Sequence, residues 1–291
     1  MVNPMASTTR RDFRKALRPG AAVILPGVAN ALAARVVADC GFDAAYVTGA
    51  GIANTFLGIP DNGLVTLTEL TDHVAAIRAV FAGLLMVDAD TGFGNALNMR
   101  RTIQALERAG ADAIQIEDQV FPKRCGHFEG KEVIPAAEMV QKIKAAVDAR
   151  TDPDLIIVAR TDAIAVEGFN AAIDRAHAFR EAGADVGFVE APTDTQQIEA
   201  IARLPWPQLI NMVIGGKTPE LPNEELKRLG FAGVIYANTA LQAAVLGMQK
   251  ALAHLKANGQ VGGGSDMLAT FAERQRLVGM ADFQAMERKY K

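Results

Sequence analysis

The five residues Lys123-Arg124-Cys125-Gly126-His127 place a thiol beside two cationic side chains and an imidazole. Neighbouring positive charge lowers the pKa of a cysteine, so such a thiol can give or take a proton near neutral pH. A buried structural cysteine normally has apolar neighbours, which Cys125 lacks. The segment therefore indicates proton-transfer chemistry. The alternative is a basic surface loop that happens to contain a cysteine.

A second group of residues is acidic and stands at the ends of apolar runs. Asp88 and Asp90 follow one run, Glu117 ends the next, and Asp61 lies in an earlier loop. Such oxygen ligands suit Mg²⁺, with Mn²⁺ possible, and magnesium keeps several waters, so most of these carboxylates would reach the ion through water. The alternative is a strand-end turn in which Asp88 and Asp90 cap the next helix. No Cys/His spacing fits a tetrahedral zinc site.

Arg160 ends a further apolar run, and its planar guanidinium can hold a carboxylate at two points. The alternative is a salt bridge to Glu190 or Asp162. Other apolar runs also carry polar residues at their ends, namely Glu190, Asn211 and Asn238. The run that contains Tyr46 leads into the turn Thr48-Gly49-Ala50. Charged groups in such apolar surroundings are costly to bury unpaired, so clustering them around a cation and an anionic substrate would offset the cost.

The apolar runs are rich in β-branched residues and continuous, which is typical of parallel strands buried on both faces. We predict strands at 22–25, 44–48, 84–88, 113–117, 155–161, 186–190, 208–213 and 233–238. Helical stretches lie between them, such as 66–81, 97–109, 136–149 and 170–182, and glycines 41, 110, 183 and 230 would cap helices in the left-handed conformation. The pattern predicts an α/β fold, a closed (β/α)8 TIM-type barrel whose active site lies at the C-terminal strand ends. An open dinucleotide-binding sheet is less consistent, because no Gly-x-Gly-x-x-Gly follows the first strand.

We expect one barrel domain over residues 1–291, since no linker divides the chain. After the last strand come a helix at 239–257, a glycine hinge at 262–264 and a final helix at 265–288. This tail exceeds eight βα units, and its apolar side chains need a partner surface, so we predict a homo-oligomer.

Composition excludes several classes of protein. The net charge of −3 gives no electrostatic case for nucleic acid or an anionic membrane, and no run of apolar residues is long enough for a membrane span. The two cysteines indicate no disulfide framework, so a reducing, cytoplasmic location is expected. A twin-arginine export leader at Arg10-Arg11 is the alternative, but cleavage near residue 33 would remove the first strand and helix.

Eight segments together resemble the isocitrate lyase / phosphoenolpyruvate mutase superfamily over nearly the whole chain: 46–51, 58–61, 87–94, 116–119, 123–127, 159–163, 190–191 and 211–219. The resemblance implies a (β/α)8 barrel whose C-terminal helix is swapped between subunits of a dimer or tetramer. It also implies Mg²⁺ held through Asp61, Asp88, Asp90 and Glu117. The cysteine at position 125 is typical of the carbon–carbon lyase branch.

The implied reaction cleaves the C2–C3 bond of a 2-hydroxy diacid. Tyr46 would take the hydroxyl proton, and Cys125 would protonate the resulting carbanion with help from Lys123, His127 and the backbone around Gly126. Arg160 would anchor the carboxylate of the 2-oxo acid. The remaining substrate contacts would be Thr48, Gly49, Ala50, Asp88, Glu190 and Asn211.

Departures from the family pattern bear on the substrate. Methylisocitrate lyases carry an Arg after strand eight and a Thr-Glu-Phe stretch after strand seven, where this chain has Leu241-Gln242 and residues 212–217. The segment 211–219 is instead similar to the 2,3-dimethylmalate lyase and petal-death-protein branch, although Ile214 stands where relatives often have Glu, and Gln115 replaces a His of methylisocitrate lyases. A 2-alkylmalate yielding pyruvate and a short carboxylic acid is therefore expected. Methylisocitrate cleavage to pyruvate and succinate, oxaloacetate hydrolysis, carboxyphosphonoenolpyruvate mutase chemistry and a non-catalytic binding barrel are the alternatives.

Overall fold

The computed structural model describes residues 10–124, 130–262 and 265–291. Eight parallel strands close into a barrel in chain order. The strands are β1 (Val23–Val28), β2 (Ala44–Val47), β3 (Leu84–Asp88), β4 (Ala113–Glu117), β5 (Ile156–Thr161), β6 (Val186–Val189), β7 (Gln208–Asn211) and β8 (Gly233–Tyr236). The predicted TIM-type barrel is thus confirmed, and each strand falls on the predicted run, with ends shifted by up to three residues.

Helices surround this barrel and extend beyond it. They are α1 (Arg10–Ala16), α2 (Ala31–Asp39), α3 (Gly49–Ile52), α4 (Leu67–Arg78), α5 (Ala96–Ala109), α6 (Ala136–Ala149), α7 (Ile164–Glu167), α8 (Phe169–Glu181), α9 (Thr195–Ala202), α10 (Asn223–Leu229), α11 (Thr239–Asn258), α12 (Phe271–Leu277) and α13 (Met280–Lys289), with a π-helical turn at Ala53–Leu57. No helix in the described part of the chain combines the length and the apolar character that a membrane span requires.

The continuous apolar runs serve two cores at once. Val87, Ile114 and Ile157 point outward and pack in the layer between the barrel and its helices. Met86 and Val158, which alternate with them, fill the barrel interior. Successive side chains of a strand point to opposite faces, and here both faces are buried in a core, so the strands are apolar on both faces.

The glycines predicted to end helices do adopt the left-handed conformation, with φ of +82° at Gly41, +103° at Gly110 and Gly183, and +114° at Gly230. At Gly110 a Cβ atom would also lie 2.6 Å from the Arg78 side chain, so both backbone and space require glycine there. These turns bring each helix back to the start of the next strand.

Helix α1 closes the N-terminal end of the barrel, which the sequence did not predict. Phe13 is fully buried in the interior core. Around it, Arg10 pairs with Asp152 at 2.9 Å and Arg14 pairs with Asp185 at 2.7 Å. The basic patch at the start of the chain is therefore matched by acidic residues of the barrel floor. These contacts give the basic residues at Arg10 and Arg14 a structural role.

Replacing Phe13 by alanine should lower the free energy of unfolding by ~3 kcal/mol, because it leaves a cavity in the barrel floor. Arg11→Ala is the matched control on the same helix, since the Arg11 side chain is 71% exposed; its effect should stay within about 0.5 kcal/mol. Urea denaturation followed by circular dichroism measures both. Equal stability of Phe13→Ala and the wild type would show that α1 is not part of the core.

The predicted final helix at 265–288 is wrong in detail, because the tail forms two helices, α12 and α13. The break falls at Val278-Gly279, where Gly279 adopts a φ of +77°; part of the predicted glycine hinge, 263–264, lies outside the described residues. Helices α11, α12 and α13 contain no buried residue. Their exposed apolar side chains include Leu252 at 62% and Phe271 at 73% exposure.

Candidate active site

A cavity opens at the C-terminal ends of the strands. It is lined by Tyr46, Thr48, Ala50, Asp61, Asp88, Lys123, Arg160, Glu190, Asn211, Val213, Ala237 and Asn238. Most of these side chains were predicted from the ends of separate apolar runs, and closure of the barrel brings them together. The polar groups at the strand ends therefore form one site.

Carboxylates line one side of this cavity. Asp61 and Asp88 are among its lining residues, and Asp90 is buried beside them. The ammonium group of Lys123 lies 2.5 Å from Asp61 Oδ1 and 3.1 Å from Asp90 Oδ1. Asp90 has a φ of +47°, a conformation that costs a non-glycine residue energy and often occurs at functional sites.

Burial and crowding change the ionisation of these groups. Burial, with Asp88 and Asp61 adding to it against the opposing charge of Lys123, raises the pKa of Asp90 to about 7. Burial likewise raises the pKa of Glu117 well above its usual value, although the Arg160 guanidinium opposes the shift. Burial would lower the pKa of Lys123, but Asp90 and Asp61 outweigh it and hold the pKa well above the usual value. The lysine therefore stays charged among the carboxylates.

The alternative role for Asp88 and Asp90, capping the next helix, does not apply. Helix α5 is capped by Asn95, whose side chain accepts hydrogen bonds from Leu97 N and Asn98 N. Asp88 Oδ1 instead accepts from the amide of Asp90 at 3.2 Å. The two aspartates are thus available to the cavity rather than to the helix.

Arg160 lines the same cavity. Its Nε and Nη2 donate to the two oxygens of Asp162 at 2.8 and 3.0 Å, while Glu117 and Glu190 each lie 3.3 Å away. Burial alone would lower the pKa of Arg160, but the carboxylates of Asp162, Glu117 and Glu190 raise it well above its usual value. The salt bridge to Glu190 or Asp162 was the alternative role of Arg160; both salt bridges form, and Arg160 still lines the cavity. Arg160 can therefore keep these salt bridges and also contact a ligand in the cavity.

Tyr46 belongs to a buried chain of hydrogen bonds. Gln115 Nε2 donates to Asp88 Oδ1 at 3.2 Å, and the Tyr46 hydroxyl donates to Gln115 Oε1 at 3.1 Å. Only this amide orientation works, because the carboxylate can only accept. Burial, followed by the charge of Asp88, raises the pKa of Tyr46 well above its usual value. The resting side chain is therefore a neutral phenol whose lone pairs remain for a ligand.

The turn after β2 forms another wall. Thr48 caps the short helix α3, with its Oγ1 accepting from Gly51 N at 3.2 Å. A Cβ at Gly49 would lie 3.2 Å from Asp90 Oδ1 and 3.4 Å from Asp88 Oδ2. Glycine at this position leaves room directly in front of the two carboxylates.

The donor set fits a hard divalent cation that keeps most of its waters. Buried oxygens without a hydrogen-bond partner include Glu117 Oε1 and Asn211 Oδ1, and Gly49 leaves space at Asp88 and Asp90. Within the described residues no group of three His, Cys, Asp or Glu side chains is close enough to hold an ion directly. Mg²⁺ bound to a protein usually has few direct protein ligands and keeps several waters.

Several positions require separate comment. Cys125, Gly126 and His127 lie outside the described residues. Sequence reasoning missed the linking role of Gln115, which no strand-end pattern could reveal because it lies in mid-strand. It also missed Lys131, whose ammonium lies 2.9 Å from Asp162 Oδ1.

A (β/α)8 barrel with acidic and cationic side chains converging at its C-terminal strand ends defines the class of barrel enzymes that act on small anionic molecules. The profile of the phosphoenolpyruvate phosphomutase family matches residues 13–256. The chain belongs to this family, the phosphoenolpyruvate mutase / isocitrate lyase superfamily.

Similar proteins place the chain among the lyases of the superfamily. It is 42% identical to 2,3-dimethylmalate lyase of Eubacterium barkeri, covering 97% of this chain and 98% of that one. It is 44% identical to 2-methylisocitrate lyase of Aeropyrum pernix, over 90% of this chain and 84% of the relative.

Solved structures agree with the fold. An oxaloacetate acetylhydrolase in complex with 3,3-difluorooxalacetate superposes with a TM-score of 0.91 at 33% identity, covering 98% of this chain and 97% of the other. A 2,3-dimethylmalate lyase gives 0.90 at 36% identity, covering 99% and 96%. Phosphonopyruvate hydrolase in complex with oxalate and Mg²⁺ gives 0.87 at 29% identity, covering 97% and 99%.

Proposed function

We propose that this enzyme is a Mg²⁺-dependent lyase that cleaves a 2-alkylmalate, such as 2,3-dimethylmalate, to pyruvate and a short carboxylic acid. The observation that carries the proposal is that one cavity is lined both by a guanidinium and by carboxylates. Arg160 can take a carboxylate there, and the aspartates around Lys123 can hold a cation. The similarity to 2,3-dimethylmalate lyase over 97% of the chain supports this substrate class.

Asp61, Asp88, Asp90 and Glu117 would hold the cation, several of them through water. A divalent cation supplies a Lewis acid that acidifies the 2-hydroxyl group and stabilises the forming carbonyl. Asp88 would therefore contact the substrate indirectly, through the cation that it helps to hold.

Side chains of the protein would then transfer the protons and hold the substrate while the C2–C3 bond breaks. Because burial beside Asp88 raises the pKa of Tyr46, its phenol must first lose its own proton, which the charge of a cation held at Asp88 would favour. As a phenolate, Tyr46 would then take the proton of the 2-hydroxyl group, and the C2–O bond becomes a carbonyl as the C2–C3 bond breaks. The electron pair passes to C3 and its carboxylate, and a proton is delivered to C3. Arg160 holds the carboxylate of the 2-oxo acid, with Thr48, Gly49 and Ala50 beside it and Glu190 and Asn211 at the far end.

The proton for C3 comes from Cys125, assisted by Lys123, His127 and the backbone around Gly126. Replacing Cys125 by serine should lower kcat by at least about 10²-fold, because serine is a far weaker acid. Binding of Mg²⁺ and pyruvate should be kept. Cys40→Ser, which changes an exposed cysteine, is the control. Normal turnover by Cys125→Ser would exclude the thiol as the proton donor.

The cations of the cavity favour a diacid over a tricarboxylate. Among the described lining residues, the cations are Lys123 and Arg160, whereas Asn211, Val213, Ala237 and Asn238 form the side near β7 and β8. A third carboxylate on that side would lose its hydration without meeting a positive charge, which is costly. Methylisocitrate cleavage, supported by the 44% identity to such a lyase, is the second candidate.

A pyruvate assay coupled to lactate dehydrogenase tests the proposal across 2-alkylmalates, methylisocitrate and oxaloacetate. We expect the highest kcat/KM with a 2-alkylmalate. Succinate release from methylisocitrate at a higher kcat/KM would favour the second candidate. Turnover of phosphonopyruvate with no pyruvate from any diacid would overturn the lyase assignment.

Affinity for Mg²⁺ should depend on pH. The raised pKa of Asp90, about 7 in the cation-free protein, means that a proton must leave before this carboxylate can serve the cation. As pH falls through about 7 the affinity should therefore drop, by about tenfold per pH unit for this one proton. Glu117, whose pKa is also raised, should add to the dependence. Calorimetric titration from pH 6 to 8 measures this. Asp90→Asn should bind more weakly with a shallower profile, and a flat wild-type profile would contradict the assignment.

The exposed apolar surface of α11, α12 and α13 supports a homo-oligomer, because a monomer rarely exposes so much apolar surface. We propose that the tail is exchanged between subunits, in a dimer of swapped dimers. Light scattering after size-exclusion chromatography would give the mass. A cytoplasmic location is proposed because the sequence has only two cysteines and so indicates no disulfide framework.

A further inference from the structure

We infer that Lys131 is a positioning residue that tunes Arg160 for binding a carboxylate, acting through the shared Asp162. The inference deepens the proposed function and rests on the role given there to Arg160. Lys131 was not among the residues that the sequence indicated. It contacts Asp162 rather than the cavity.

The contacts form a buried chain of three charged groups. Lys131 Nζ lies 2.9 Å from Asp162 Oδ1, and the two side chains are 2% and 0% exposed. The same Oδ1 accepts from Arg160 Nη2 at 3.0 Å, while Asp162 Oδ2 accepts from Nε at 2.8 Å. One carboxylate therefore holds both cations, and only the arginine side chain lines the cavity.

The balance of charge explains what Lys131 contributes. Asp162, Glu117 and Glu190 all lie within 3.3 Å of Arg160, so three carboxylates surround one guanidinium. An incoming anion would be repelled by this excess of negative charge. Because Lys131 takes up part of the charge on Asp162, it leaves Arg160 with more attraction to offer a substrate carboxylate.

The backbone places Lys131 for this contact. The segment after β4 turns back on itself, with Val120 N donating to Glu132 O at 2.9 Å and Ile134 N donating to Asp118 O at 2.8 Å. Gly130, directly before Lys131, adopts a φ of +72°, and a Cβ there would lie 2.6 Å from Arg124 Nη1. Glycine thus allows the chain to turn so that the lysine reaches the buried acid.

Lys131→Met tests the inference through binding of pyruvate and oxalate in the presence of Mg²⁺, measured by calorimetry. We expect the dissociation constants to rise about tenfold, and KM to rise with them while kcat changes little, because the carboxylate is held alike in ground and transition states. Lys131→Arg should restore binding to within about threefold, since it keeps the charge. Lys131→Gln, which keeps a hydrogen-bond donor, should behave like the methionine variant and replaces it if that variant does not fold.

The matched control is Lys142→Met. Lys142 is also a buried lysine, 3% exposed on helix α6, and burial lowers its pKa. This variant should bind both anions as the wild type does. Folded Lys131→Met or Lys131→Gln variants that bind both anions within twofold of the wild type would overturn the inference alone. A wild-type protein that binds neither anion would overturn the proposed function as well.

Discussion

Replacing Arg160 by lysine should lower kcat/KM by about 10³-fold while the protein stays folded. Arg160 uses Nε and Nη2 to hold Asp162 and directs Nη1 toward Glu190, so one planar group serves several carboxylates at once. A lysine keeps the positive charge but offers a single ammonium group. It cannot satisfy the buried carboxylates and also fix the orientation of a substrate carboxylate.

Arg175→Lys is the matched control for this prediction. Arg175 is also buried and pairs with buried Asp118 at 3.2 Å and with exposed Glu167 at 2.8 Å, but it does not line the cavity. We expect it to lose some stability and keep kcat/KM within about fivefold. Steady-state kinetics with the best substrate and thermal unfolding compare the two. If Arg160→Lys were as active as Arg175→Lys, Arg160 could not be the carboxylate anchor.

Asp88→Asn should abolish detectable Mg²⁺ binding at millimolar concentration and lower kcat by about 10³-fold or more. Asp88 faces the cavity, and its Oδ2 stands before the space left by Gly49. An amide is isosteric with the carboxylate and can still accept from Asp90 N, so the local fold should survive. The amide lacks the charge that a hard cation requires.

Asp112→Asn provides the comparison at the opposite end of the same barrel. Asp112 is also buried, but it accepts from Leu85 N at 2.9 Å and pairs with Arg78. This variant should unfold at a lower temperature and bind Mg²⁺ normally. Calorimetric titration and thermal unfolding of both variants separate a metal-site effect from a general loss of stability. Normal Mg²⁺ affinity in Asp88→Asn would remove this carboxylate from the metal site.

The strand positions, and the strand-end polar residues that line the cavity, could be predicted because both depend on local pattern. A continuous apolar run with a carboxylate at its end, such as the one closing at Asp88, requires a buried parallel strand and a polar rim. Glycines such as Gly110 mark helix ends because few other residues adopt their backbone conformation. Barrel closure then follows from repetition of the same unit.

Pairings between distant residues could not be predicted, because sequence pattern does not specify them. Lys131 and Asp162 are separated by 31 positions, and nothing in either segment indicates that they meet. The position of α1 at the N-terminal end of the barrel could not be predicted for the same reason, because its basic residues pair with acidic residues far apart along the chain. The division of the tail at Gly279 was missed because its apolar positions suggested one continuous helix.

A crystal structure of the protein with Mg²⁺ and pyruvate tests the central claim most directly. The account predicts one ion beside Asp88, within water-mediated reach of Asp61, Asp90 and Glu117, and a pyruvate whose carboxylate contacts Arg160. An ion bound away from Asp88, or a pyruvate carboxylate turned away from Arg160, would contradict it.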